Sequence, residues 1–164
     1  MDRGAITIKA MIEYYADDAR RINHFMKVFG FAKTIGNAEG LEPYLQEVLE
    51  IAAITHDIGI KNSEQKYNSS SGHYQQIEGP PAAADLLTKL AFEQELIDRV
   101  CWLIGHHHTY QNIEGIDYQI LVEADFLVNI YEDEMSKEAI AGVKEKIFKT
   151  KTGLFLLDSL YRNR

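Results

Sequence analysis

The chain is poor in cysteine, proline and positive charge, and it has no long apolar run. Cys101 is the only cysteine in 164 residues, so no internal disulfide can form, which fits a reducing compartment. Lys and Arg number 17 against 25 Asp and Glu, for a formal net charge of −8. That balance excludes a broad basic face for a nucleic acid polymer or an anionic membrane. It leaves room for a small phosphorylated substrate held by a few local cations. No stretch approaches the roughly 18 uninterrupted apolar residues of a membrane span. The opening "MDRGAITIKAMIEYY" lacks the apolar core of a signal peptide, so a cytoplasmic location is expected.

With only Pro43, Pro80 and Pro81 as strong breakers, long intervals are free to be helical. Ile22, Phe25, Met26 and Phe29 repeat at three and four, which predicts a helix over about 18–33. "IGNAEG" reads as a turn cluster. Pro43 suits a first helical turn, and Leu45, Val48, Leu49 and Ala52 form the apolar face of a helix ending near His56-Asp57, with Gly59 beyond it. Residues 61–78, "KNSEQKYNSSSGHYQQIE", carry no helical stripe and read as a long polar loop; such loops are often functional. Pro80 and Pro81 then open a helix through "AAADLLTKL". Further helices are expected near 93–107, 117–131, 136–148 and 154–161. No period-two alternation, repeat or linker is present. The expectation is an all-α single domain over residues 1–164, of about six to eight helices.

Several polar residues fall where apolar ones belong. Asp125, in "ILVEADFLVNIY", lies four after Leu121 and three before Val128, at or beside a buried stripe. A buried ionised carboxylate must be paired, protonated or metal-bound, and pairing with protein groups is the commoner outcome. In "GHHHT", His107 continues the spacing of Val100 and Ile104, and His106 lies three after Leu103. Three consecutive histidines spread around a helix and cannot all face one point, so His108 is expected to face elsewhere. The run also suits an ordinary helix C-terminus. His24 sits beside its stripe and His73 in the polar loop; each alone reads as an ordinary histidine. Taken together, four separated helical segments carry His or Asp near an apolar face. Facing helices supply metal ligands in helical proteins, and this donor set suits iron, manganese, zinc or nickel.

The order His24, His56-Asp57 in "AAITHDIG", His106-His107, then Asp125 resembles the HD-domain superfamily of metal-dependent phosphohydrolases. The match covers roughly residues 20–131. It implies a helical bundle around a central site in which His24, His56, Asp57 and Asp125 hold one divalent ion, magnesium being a further candidate. His106 and His107 match the extra histidines of members with a second ion. Those members supply another His just before the next helix, where this chain offers Glu78, with His73 as the alternative. The branch that cleaves cyclic dinucleotides has Lys directly after HDIG and a GYP motif. This chain has Ile60 there and no GYP, so that activity is not expected.

The function implied is hydrolysis of a nucleotide or phosphomonoester by water activated on one or two ions. Asp57 would position that water, and Lys61, the first cation after the motif, would face the phosphate. Lys66 and Arg99 are weaker candidates, and Tyr67, Tyr74 and Tyr110 are candidate pocket walls. Two alternatives share the ligand set: a di-iron oxygenase, and a non-catalytic regulatory protein stapled by its metal. The apolar C-terminal "TGLFLLDSLYRNR" suits packing on the core or on a second copy, which leaves a homo-oligomer open.

Overall fold

Side-chain caps set several helix starts. Asp2 accepts the Ala5 N–H and opens α1 (Arg3–Tyr14); Asp18 accepts the Arg21 N–H and opens α2 (Ala19–Glu39). Glu42 caps α3 (Pro43–Thr55), whose first residue is the proline that needs no donor there. The chain continues through α4 (Gly59–Tyr67), α5 (Gly72–Lys89), α6 (Gln94–His106), α7 (Ile116–Glu132), α8 (Lys137–Lys146) and α9 (Lys151–Tyr161). This is the computed structural model of the protein; it describes residues 2–162, and among the described residues every element is helical.

The core lies around α3 and α7. In α3 the consecutive residues Ile51 to Thr55 are all buried, and in α7 so are Ile120 to Asp125. A helix buried on every side sits inside other helices rather than on a surface. α3 packs against α1, α2, α6 and α7, while α2 covers both α3 and α7. Each fully buried Leu, Ile or Phe in this arrangement contributes roughly 1.5–3 kcal/mol. Phe25, Ile35, Leu49, Ile54, Leu103 and Ile120 are among the largest such side chains.

Two stretches differ from the sequence expectation. The "IGNAEG" segment does not break α2, which continues to Glu39 and ends at Gly40 in the left-handed region (φ 75°). The turn is therefore a single glycine cap. The expected loop at 61–78 is instead α4 and the first half of α5. Only Gly59, Ile60 and Ser63 of α4 are buried, so its inward edge is too narrow and too weakly apolar to show as a stripe. Nor do Pro80 and Pro81 open α5; they lie inside it, and packing against α4 and α6 holds the helix across them. α4 and α5 meet at backbone contact: a Cβ on Gly59 would lie 2.6 Å from the Gly79 nitrogen and 2.8 Å from the Gln75 carbonyl oxygen. Gly59 is thus the crossing point that sets α5 beside His56-Asp57, rather than a stop signal for α3.

Candidate metal centre

The inward ends of α2, α3, α6 and α7 meet at one point. His24 comes from the second turn of α2, His56 and Asp57 from the end of α3, and Asp125 from the middle of α7. His24 Nε2 lies 3.1 Å from His56 Nε2, 3.2 Å from Asp57 Oδ2 and 3.2 Å from Asp125 Oδ1. His56 Nε2 lies 3.4 Å from Asp57 Oδ2 and 3.5 Å from Asp125 Oδ1. His107, just past α6, brings its Nε2 to 3.6 Å from the other oxygen of Asp57. The tyrosines of α1 pin the connecting turn: Tyr15 donates to the Asp57 carbonyl at 2.7 Å and Tyr14 to that of Ile58 at 3.3 Å.

The far side of each ring fixes its proton. His56 Nδ1 is 2.7 Å from the Ala53 carbonyl oxygen and His107 Nδ1 is 2.7 Å from that of Ile104. Only a protonated Nδ1 bonds to a carbonyl. In the neutral ring the lone pair is then on Nε2, which faces the cluster. The Nδ1 of His24 does the same toward Glu132, at 3.1 and 3.3 Å from its two oxygens. Three lone pairs and two carboxylates therefore converge on one small volume. Buried donors and acceptors are normally satisfied, yet His107 Nε2 and Asp125 Oδ1 have no hydrogen-bond partner among the described residues. A divalent cation fits this arrangement: it accepts every lone pair and offsets both carboxylate charges. Two overlapping groups have suitable spacing, His24 with His56 and Asp57, and Asp57 with His107 and His108.

Electrostatics express the same crowding of opposite groups. Burial disfavours a charged His56, but the charges of Asp57 and Asp125 outweigh it and raise its pKa well above the ordinary value. Burial likewise works against ionised Asp57, yet the facing His56 and His107 rings hold its pKa well below the carboxylate range. Asp125 is lowered too, with His24 and His56 outweighing burial. His108 is pushed down to about 4, by burial first and then by His107.

Not every expected site residue reaches this point. His106 turns outward, its Nδ1 bonded to the Trp102 carbonyl and its ring stacked on Trp102 at 4.0 Å. Its neighbour His108, expected to face away, is the one that lines the cavity beside His107. Helix geometry explains the exchange: α6 ends at His106, and the turn that follows carries His107 and His108 inward. Glu78 is engaged elsewhere, with Lys66 at 2.9 Å and the Tyr67 hydroxyl at 3.0 Å. His73 is exposed and packs on Tyr74. The residue of this stretch that faces the centre is Gln75, one turn before Glu78, with Oε1 2.9 Å from His108 Nε2. Lys61 points to α1, bonding the Tyr14 carbonyl at 3.2 Å, and Arg99 is held by Asp117 through two bonds of 2.7 and 2.8 Å.

Above the cluster opens a cavity of about 530 Å³ with His24, Asp57 and Asp125 at its base and Arg20, Arg21 and His108 on its walls. Arg21 pairs with Asp18 at 2.6 Å and with Glu64, while Arg20 has no ion pair among the described residues. These arginines, Gln75 and Glu132 are the site residues that sequence spacing did not single out. "RR" three residues before His24, one helical turn away, was the available signal for the first pair.

Comparison with known proteins agrees with this fold. The chain aligns over 96% of its length with 84% of a predicted HD superfamily hydrolase from an uncultured Thermotogales bacterium, seen in a crystal structure. The TM-score is 0.69 at 22% identity, a likeness of fold. No curated protein matches. The HD domain pattern matches residues 21–142, a span that holds His24, His56, Asp57, His107 and Asp125, and on this ground the chain belongs to the HD domain family.

Proposed function

We propose that this protein is a metal-dependent phosphohydrolase acting on a small phosphate ester, a nucleotide or phosphomonoester. One observation carries the reading: imidazole and carboxylate donors from four helices converge at the base of a cavity whose walls hold two arginines. His24, His56, Asp57 and Asp125 would hold the ion, and the second oxygen of Asp57 with His107 and His108 would hold another. A divalent ion so placed lowers the pKa of a bound water and polarises a phosphoryl oxygen.

The chain's own side chains supply the rest. Arg20 makes no ion pair among the described residues and lines the cavity, placed to pair with phosphate oxygens and with charge developing on them. This role moves from Lys61, which is turned away, to α2.

Elemental analysis of purified protein, joined to a screen of phosphomonoesters, nucleotides and phosphodiesters, tests the reading. His56→Ala and Asp125→Ala are expected to lose both bound metal and hydrolysis. Stoichiometric metal retained in both variants would exclude this centre. Iron with oxygen consumption and no ester cleavage would favour an oxygenase instead.

A further inference from the structure

Of the three rings at the centre, two anchor Nδ1 on a carbonyl of their own chain segment. His24 differs: its Nδ1 meets the carboxylate of Glu132, the last residue of α7, 108 positions away. Glu132 is held in turn by Lys27, one helical turn beyond His24 on α2, at 3.0 Å. The carboxylate is mostly buried, and it lines the same cavity as His24.

We propose that Glu132 is a positioning residue of the metal centre. It accepts a hydrogen bond from the Nδ1–H of His24, fixes that tautomer and ring angle, and aims the Nε2 lone pair into the cluster. The inference rests on the metal reading of the preceding section. Its physical basis is general. A ligating imidazole that donates its outer N–H to a carboxylate is held in one orientation and becomes a stronger donor. His24 needs such a partner more than the others do, because it has no neighbouring carbonyl bonded to Nδ1 and belongs to a different helix from His56. Lys27 offsets the charge that Glu132 would otherwise add to a cavity already lined by Asp18, Asp57, Asp125 and Asp133.

The test is the metal dissociation constant of the full chain, measured by chelator competition with zinc or manganese, for the native protein, Glu132→Ala and Glu132→Gln. Removing an outer partner of a metal-bound histidine costs about 10–100-fold in affinity, so Glu132→Ala is expected in that range. Glu132→Gln keeps an oxygen acceptor at the same reach and is expected to recover most of the loss. Proton–nitrogen correlation spectra report the tautomer: His24 is protonated at Nδ1 in the native chain and in Glu132→Gln, and mixed in Glu132→Ala. Equal affinity in all three chains would overturn the proposal while leaving the metal centre standing. A native chain that binds no metal would overturn the underlying reading, and the proposal with it. A structural role alone would weaken both variants alike and leave the His24 tautomer unchanged.

Discussion

At the scale of single residues, charge placement decides what the cavity accepts. Asp57, Asp125, Glu132 and Asp133 all line the cavity, so a phosphate ester entering it needs a counter-charge from the protein. Arg20 is placed for that purpose because Asp18 and Glu64 already engage Arg21. A hydrogen bond to a charged group contributes about 1.5–3 kcal/mol, so Arg20→Ala should raise KM for a phosphate ester by about 10- to 100-fold. Steady-state kinetics on the metal-loaded enzyme checks this, and an unchanged KM would place the phosphate elsewhere. The residue scale also shows what spacing can tell. Asp125 was legible because it falls at an apolar stripe, where burial of a charge demands a partner, and His56-Asp57 because the pair ends an apolar helix in a spacing that resembles a known family. Gln75 was not legible, being neutral and in a segment without a stripe. Glu132 was not legible either, because its meaning depends on His24 in a helix far away in sequence. His106 and His108 exchanged places because the helix ends between them, and helix ends are the least certain feature of a periodic pattern.

At the scale of elements, the helices that could be read are those with wide apolar faces. α3, α6 and α7 bury Leu, Ile and Val at helical spacing and declare themselves. α4 and the first half of α5 bury glycine, serine, glutamine, a glutamate and, of the large apolar side chains, Ile60 alone, so their packing is real but carries no apolar stripe. Gly59 is where α4 meets α5 backbone to backbone. An alanine Cβ there would meet the backbone of α5, with the Gly79 nitrogen 2.6 Å away, and backbone cannot swing aside as a flexible side chain can. Overpacking of this kind costs typically 1–3 kcal/mol. Gly59→Ala should therefore lose stability in denaturant titration. It should also bind metal more weakly, because the displaced helices carry Gln75, bonded to His108, and Ile60, whose N–H bonds the Asp57 carbonyl. A stable variant with native metal affinity would mean that the crossing of α4 and α5 does not position the site.

For the whole molecule, the cation and the proton compete for the same lone pairs, and this ties stability to pH. In the metal-free chain the pKa of His56 is raised, because Asp57 and Asp125 outweigh burial. A raised histidine stabilises the fold below its unfolded value of about 6.5 and loses that contribution as pH climbs through the folded value. Asp57 and Asp125 are lowered, and their contribution is lost only as pH falls below the carboxylate range. His108, pushed down to about 4, works the other way and costs stability as pH falls below about 6.5, so the metal-free protein should be most stable at about pH 6.5. Metal reverses the slope, since it binds only the deprotonated rings and expels their protons. A ligand at one hundred times its dissociation constant adds about 2.7 kcal/mol, which in a domain of this size raises Tm by about 5–10 °C. That increment should be larger near pH 8 than near pH 6, because at the lower pH protons hold the rings against the ion. Thermal melts with saturating manganese and with chelator at both pH values measure it. An increment equal at the two pH values would show that the stabilising ion sits away from these histidines.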